Sequence, residues 1–478
     1  MTKLTSRLSK YFSVIIVFLI ISYFTILPTA QAIPPDYNGG VLNEYTYEEY
    51  FFLTDKPILF SGKATVTERE QNDKLTKTYK FTLADKDNVA NKLTRSVVYE
   101  STLDKRLDKG QTTSQTIIKS YSEKITIGKA SYSLDDYQFS QGAVADNRPA
   151  SDYYSGNLVG RKIYKTNTNE LITVQFSGRN LGYENFWGAT ETQIIDFEIT
   201  SKLGKALVTS KVSDSKNKFL KYEPNDPNLS SFTGGHALIS QQNMIAEYTY
   251  DIPYGTSKKG NLTLSQEKVP TIDRLIVPKF RDLTKHWAKD DIERLYSLGV
   301  FNEASQFFSP GTPMNRYDFT VGVLKAADIR VLEQPKNQKT AKKAIFSDLD
   351  VKDPDYLYIE SAYQKGIVKG ATENKFLPKS SLTRAQAVTI LVRALGLEGR
   401  APAPGYQTKY ADNSSLPNWA KDSVYVATEI GLVTGDGNNR FNPNKNMTRA
   451  EASTLITRFL NFLEEDLKQN YRDDMLLF

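Results

Sequence analysis

The chain has 478 residues and no cysteine, which excludes disulfides, thiolate metal sites and a cysteine nucleophile. Two histidines, His236 and His286, are too few for a histidine-rich metal centre, and nothing else calls for a cofactor. A net charge of +6 without a dense basic patch does not suit a nucleic-acid partner, while the length is ample for two hydrophobic cores.

Residues 1–32 read as a secretory signal peptide. Lys3, Arg7 and Lys10 precede an apolar run at 11–27, and Ala30-Gln31-Ala32 offers a small-x-small cleavage site. A retained membrane anchor is the alternative, because a run of 17 residues lies near the lower limit for spanning. After cleavage no membrane partner is expected, since no later segment is apolar enough to span.

Residues 33–268 have the texture of antiparallel β-structure. Leu75, Tyr79, Phe81 and Leu83 fall at strand spacing after a turn at Asn72-Asp73. Further paired runs are 93–103 with 111–127, 158–166 with 170–178, and 193–201 with 205–213, each pair split by turn-forming residues. The expectation is an all-β domain, one large twisted sheet or a sandwich. Its polar break at 142–156 is read as a long loop or a subdomain boundary. Residues 269–279 are expected to link it to the C-terminal region. Carboxylates suited to glycan cleavage would have to converge in pairs. Asp135, Asp136, Glu184, Glu191 and Asp196 are the candidates, but each is expected to be a solvated strand or loop carboxylate. His236 is expected in a loop, and no nucleophile elbow accompanies it. No catalytic residue is assigned.

From residue 280 onward one unit of about 65 residues is written three times. An aromatic-x-Asp opening recurs as Phe280-Arg281-Asp282, Phe346-Ser347-Asp348 and Tyr410-Ala411-Asp412. A glycine closes an amphipathic run at Gly299, Gly366 and Gly431, suited to the left-handed position after a helix. A box then opens a second helix: Asn315-Arg316-Tyr317-Asp318, Thr383-Arg384-Ala385-Gln386 and Thr448-Arg449-Ala450-Glu451. The latter two fit a capping box and the first is a looser version. Each arginine therefore starts a helix, where a cation is disfavoured by roughly 0.3–1 kcal/mol. Three arginines in one register suggest a carboxylate or phosphate clamp, with the guanidinium fork beside free helix N–H groups. Solvated arginines, or pairs with neighbouring acids, are the alternative.

These residues resemble the surface-layer homology (SLH) repeat. The resemblance runs through His286-Trp287-Ala288 and Phe308-Ser309-Pro310 in the first copy, Gly366 to Gly370 in the second, and Trp419-Ala420 and Gly431 to Gly435 in the third. It implies an all-α, pseudo-threefold module at 280–330, 346–396 and 410–462, with the first helices of the repeats bundled centrally and a tail at 463–478. It also implies inter-repeat grooves that bind an acidic secondary cell-wall polysaccharide bearing a pyruvate ketal. The arginine role maps onto Arg316, Arg384 and Arg449. Trp287 and Trp419 are candidates for stacking on sugar, with core packing as the alternative, and Gly370 and Gly435 belong to the same groove motif. Pro354 replaces the tryptophan of the middle copy and suits the first position of a helix, and Glu303 replaces the glycine of the first, so one or two grooves could be degenerate. The expected protein is thus secreted and held non-covalently at the cell wall. Its β-domain would serve as a structural, adhesive or assembly module that self-associates or meets other surface proteins. A wall-anchored enzyme with a glycan-cleaving β-domain is the alternative.

Overall fold

The computed structural model describes residues 39–476, apart from 44, 107–109, 225–233, 257, 302–304, 330 and 332–343, and side chains as far as 469. The expected signal peptide and Glu303 lie outside the described residues.

Fourteen strands form one antiparallel sheet. They are β1 (Val41–Leu42), β2 (Tyr47–Phe51), β3 (Ile58–Gln71), β4 (Lys74–Asp85), β5 (Lys92–Arg106), β6 (Gln111–Ile127) and β7 (Ala130–Asn147). After these come β8 (Ser151–Thr166), β9 (Leu171–Asn185), β10 (Gly188–Ser201), β11 (Gly204–Glu223), β12 (Gly235–Asp251), β13 (Lys259–Glu267) and β14 (Thr271–Leu275). Neighbours in sequence are neighbours in the sheet as far as β13, and β13 and β14 share one edge of β12. Such a meander needs only tight turns. Asn72 and Asp73 adopt φ of 51° and 55°, the geometry that a two-residue hairpin between right-twisted strands demands.

The sheet curls until its first strands meet its last. Asn43 Nδ2 donates to Gln266 Oε1 at 2.9 Å, and Thr256 N–H donates to the Asp55 carbonyl at 3.0 Å. The arrangement is nearly a barrel, so the single-sheet expectation holds and the sandwich does not. Alternation explains the filling: Tyr79, Phe81, Leu83, Val97, Tyr99, Phe139, Phe176 and Phe197 are all buried along it. Among them lies a buried ionic cluster. Arg95 donates to both oxygens of Glu49 and both of Glu123 at 2.9–3.0 Å. Breaking such a cluster strands a charge in the core, at a cost of about 3–5 kcal/mol.

Three expectations for this region fail. The break at 142–156 is mostly strand, because β7 runs to Asn147 and β8 starts at Ser151. Its polar residues alternate faces and do not interrupt the ladder. The expected linker contains β14, which pairs with residues 236–240 of β12. His236 accordingly lies in a strand, 3.0 Å from the Ser297 hydroxyl of the helical region.

The helices are α1 (Lys289–Ser297), α2 (Arg316–Ala326), α3 (Tyr356–Gln364), α4 (Arg384–Ala394), α5 (Asn418–Glu429) and α6 (Arg449–Leu476). α1, α3 and α5 each end in the same motif. Gly299, Gly366 and Gly431 have φ of 73°, 72° and 72°, and the next residue returns its N–H to Leu295, Ala362 or Ala427. Pro354 does not open α3, which starts two residues later after Asp355. The central bundle also differs from expectation. α2 packs against α4 and α6, and each first helix packs on the second helix of the preceding repeat: α3 on α2, α5 on α4, α1 on α6. The reason is legible in composition, since α2 and α4 each bury eight of eleven residues, a wider buried face than a single amphipathic stripe gives.

The repeats close on one another through the chain itself. Met314 N–H donates to Met447 O, Met447 N–H to Leu382 O, and Leu382 N–H to Met314 O, at 2.8–2.9 Å. Isolated bridges pair 313 with 448, 315 with 381 and 383 with 446, so the region is not purely helical. The expected tail after 462 continues α6, where Leu463 and Leu467 are buried. Here sheet and helices share one core. Trp187 Nε1 donates to Leu460 O at 2.7 Å, Tyr183 Oη to Asp466 Oδ2 at 2.7 Å, and Asn185 Nδ2 to Leu463 O at 2.7 Å.

Candidate functional site at the repeat junctions

Each repeat builds the same corner. Asp282, Asp348 and Asp412 accept two backbone N–H bonds apiece, from Phe308 and Ser309, Phe376 and Leu377, and Phe441 and Asn442, at 2.7–3.0 Å. Burial raises the Asp282 and Asp348 carboxyls, but the N–H donors outweigh it and hold both below the usual aspartate value. Ser309, Leu377 and Asn442 are consequently pinned at φ of 58°, 60° and 57°. The corner presents the preceding phenylalanine to the neighbouring repeat.

Against that ring lies the box arginine of the preceding repeat. Thr383 and Gln386 form the complete capping box, as do Thr448 and Glu451, whereas Asn315 accepts from Asp318 N–H and its side-chain amide, not its backbone, donates to the Asp318 carboxylate at 2.6 Å. The caps place Arg316, Arg384 and Arg449 at helix starts, pointing across the junctions. Arg316 Nη2 donates to Lys369 O at 2.6 Å, with its guanidinium 4.8 Å from the Phe376 centroid. Arg384 Nη2 donates to Thr434 O at 2.7 Å, 5.0 Å from Phe441. Arg449 Nε donates to Phe308 O at 3.0 Å, and its guanidinium is 4.3 Å from that ring. The cycle of junctions is therefore complete: first repeat to second, second to third, third to first.

Arg316 and Arg384 form no ion pair among the described residues. The Nε of each is buried without a partner. Burial lowers both from the usual arginine value; for Arg316 the nearby Arg393 charge adds to this, and for Arg384 nearby Tyr410 and Glu451 partly oppose it. A cation so desolvated gains from any anion that reaches it. Arg316 is the most enclosed of the three, at 9% exposed.

The tryptophans are not core residues. Trp287 is 67% exposed and lies beside the His286 ring, and Trp419 is 50% exposed near the start of α5. Gly370 and Gly435 follow the carbonyls that accept from Arg316 and Arg384. A Cβ on Gly370 would lie 2.2 Å from Thr372 O and 2.6 Å from the Phe346 ring, so only glycine keeps that loop close. Two participants carried no expected role: the corner aspartates, and the carbonyls at 369 and 434. The aspartates share the repeat's period, which was signal enough; backbone carbonyls leave none.

The carboxylates named on the sheet do not gather. Asp136 pairs with Arg161 at 2.9 Å and Asp196 accepts from Thr209 Oγ1 at 2.6 Å, both on the outer face. Glu191 is on the inner face, opposite Asp214 of the next strand, which the sequence did not single out. Burial and the Asp214 charge push Glu191 up to about 7, and burial also raises Asp214. Asp135 is exposed, and Glu184 is partly buried.

Residues 279–320, 345–388 and 410–453 match the S-layer homology domain family. The chain thus carries three SLH repeats. Curated relatives include the exoglucanase XynX of Acetivibrio thermocellus, 31% identical over 205 residues, which are 42% of this chain and 18% of that protein. The surface-layer 125 kDa protein of Lysinibacillus sphaericus is 29% identical over 178 residues, 36% of this chain and 14% of its own. The S-layer protein sap of Bacillus anthracis is 30% identical over 178 residues, 36% and 20%. The matched part thus spans a fifth or less of each of these relatives. With the repeats, these likenesses indicate a secreted cell-surface protein anchored by its SLH region. Among the described residues no helix is long and apolar enough to cross a membrane.

Proposed function

We propose that the SLH repeats form a pseudo-threefold anchor for an acidic, pyruvylated secondary cell-wall polysaccharide, gripped through its ketal carboxylates by Arg384 and Arg449 and, more weakly, by the enclosed Arg316. Trp287 and Trp419 offer exposed rings to the sugars, and Gly370 and Gly435 keep the loops that receive the arginines. The β-domain serves as the structural, adhesive or assembly module carried by that anchor. One observation carries the reading: box arginines reach across the junctions to a carbonyl and a phenyl ring, and among the described residues Arg316 and Arg384 form no ion pair. A charge-assisted bond is worth about 1.5–3 kcal/mol. Either Arg384→Ala or Arg449→Ala should therefore weaken sedimentation with purified cell walls by about 10-fold or more, and the joint substitution by about 100-fold or more. Undiminished binding by the double variant would remove the clamp. The anchored-enzyme reading ranks second. The Glu191–Asp214 pair favours it, but both carboxyls already accept from side-chain amides, Asn180 and Gln242.

A further inference from the structure

A concavity of about 690 Å³ lies on the outer face of the sheet across β7 to β11, away from the repeat junctions. Strand register explains its shape. Ser140, Val159, Ser177 and Asp196 sit directly opposite one another on β7, β8, β9 and β10, a cross-strand row of short side chains. Two residues along each strand on one side runs a row of longer ones, Gln138, Arg161, Gln175 and Glu198. On the other side Asn157, Arg179 and Ile194 rise again. A short row between two tall ones is a trough, running perpendicular to the strands. Five strands at about 4.8 Å spacing make it about 19 Å long.

We propose that this trough binds a neutral glycan chain lying across the strands. Its volume is that of a ligand site. Its groups are amides, hydroxyls, two carboxylates and a guanidinium, with the exposed aliphatic side chains of Val159 and Leu207 to meet sugar C–H faces. Two of its charges are already matched, Arg161 by Asp136 and Glu198 by Lys205 at 2.7 Å, and the third, Asp196, accepts from the Thr209 hydroxyl at 2.6 Å. A polyanion or polycation would have to displace those pairs, whereas hydroxyl groups need not. A peptide fits less well, because β8, β9 and β10 are paired on both edges and offer it no backbone groups. A pyranose unit is about as long as the strand spacing, so the polar groups recur in step with a polymer. The site is separate from the anchoring arginines, and its ligand differs from theirs in charge.

The test uses the full chain and a panel of neutral gluco-, xylo- and malto-oligosaccharides of two to eight units, followed by calorimetry or ligand-detected NMR. Binding should appear for at least one series and tighten with length until the chain spans the trough. Gln175→Ala and Ser177→Trp should each weaken it at least tenfold and leave sedimentation with cell walls unchanged. Circular dichroism checks that the bulkier variant folds, and Gln175→Ala tests the site regardless. Absence of binding across the panel would overturn the proposal. So would binding that both variants retain, binding lost in the Arg384→Ala, Arg449→Ala protein instead, or a trough shown by Ser177→Trp to mediate only self-association.

Discussion

Leu377 occupies a backbone conformation that its two counterparts tolerate better. With φ of 60° it lies in the left-handed region, where a Cβ clashes with the following carbonyl at a cost of about 1–2 kcal/mol. Asn442, in the same corner of the third repeat, visits that region readily. Leu377→Asn should raise stability by about 0.5–1 kcal/mol, seen as a melting point higher by a degree or more. An unchanged or lower melting point would mean that the partly exposed leucine contributes packing worth as much as its strain. Glu191 has the opposite character. Its folded pKa of about 7 exceeds the ordinary 4.5, so between those values the folded chain holds a proton that the unfolded chain has lost. Stability therefore falls as pH rises through that window. Glu191→Gln should remove the fall, stabilising the protein by up to about 3 kcal/mol at pH 8 and by little below pH 4.5. Urea titrations across pH measure it directly.

At the scale of elements, most of the architecture was legible because local rules dictate it. Hairpin residues marked the strand turns, period-two alternation marked the faces, and capping boxes with closing glycines fixed the ends of the repeat helices. What escaped was set by long-range contact. The turn at 148–150 hid inside a polar stretch that belongs to two strands, and β14 is too short to announce itself beside its prolines. The bundle order implied by the resemblance put the first helices at the centre, whereas the apolar runs 319–324 and 387–392 of the second helices carry the signal for that place. The arginines were legible as a triplet in register, and their destination was not, because it lies in the backbone of the next repeat.

At the scale of the whole molecule, the sheet is fastened to the anchor by Trp187, Tyr183 and Asn185 gripping α6, so the two regions should melt together. Trp187→Leu removes the donor to Leu460 O and part of a fully buried ring, a loss of about 2–4 kcal/mol. Calorimetry should then resolve two transitions where the parent shows one; a single, merely lower transition would mean that the junction survives without the indole. Joined in this way, the sheet is held rigidly relative to whatever the repeats grip. That grip is tested most directly by titrating the full chain with purified wall polysaccharide before and after mild removal of its ketal-linked pyruvate. The arginine clamp predicts that affinity falls by about tenfold or more once the carboxylates are gone, with Arg384→Ala, Arg449→Ala protein binding both forms equally weakly. Equal affinity of the unaltered chain for the two polymers would contradict it.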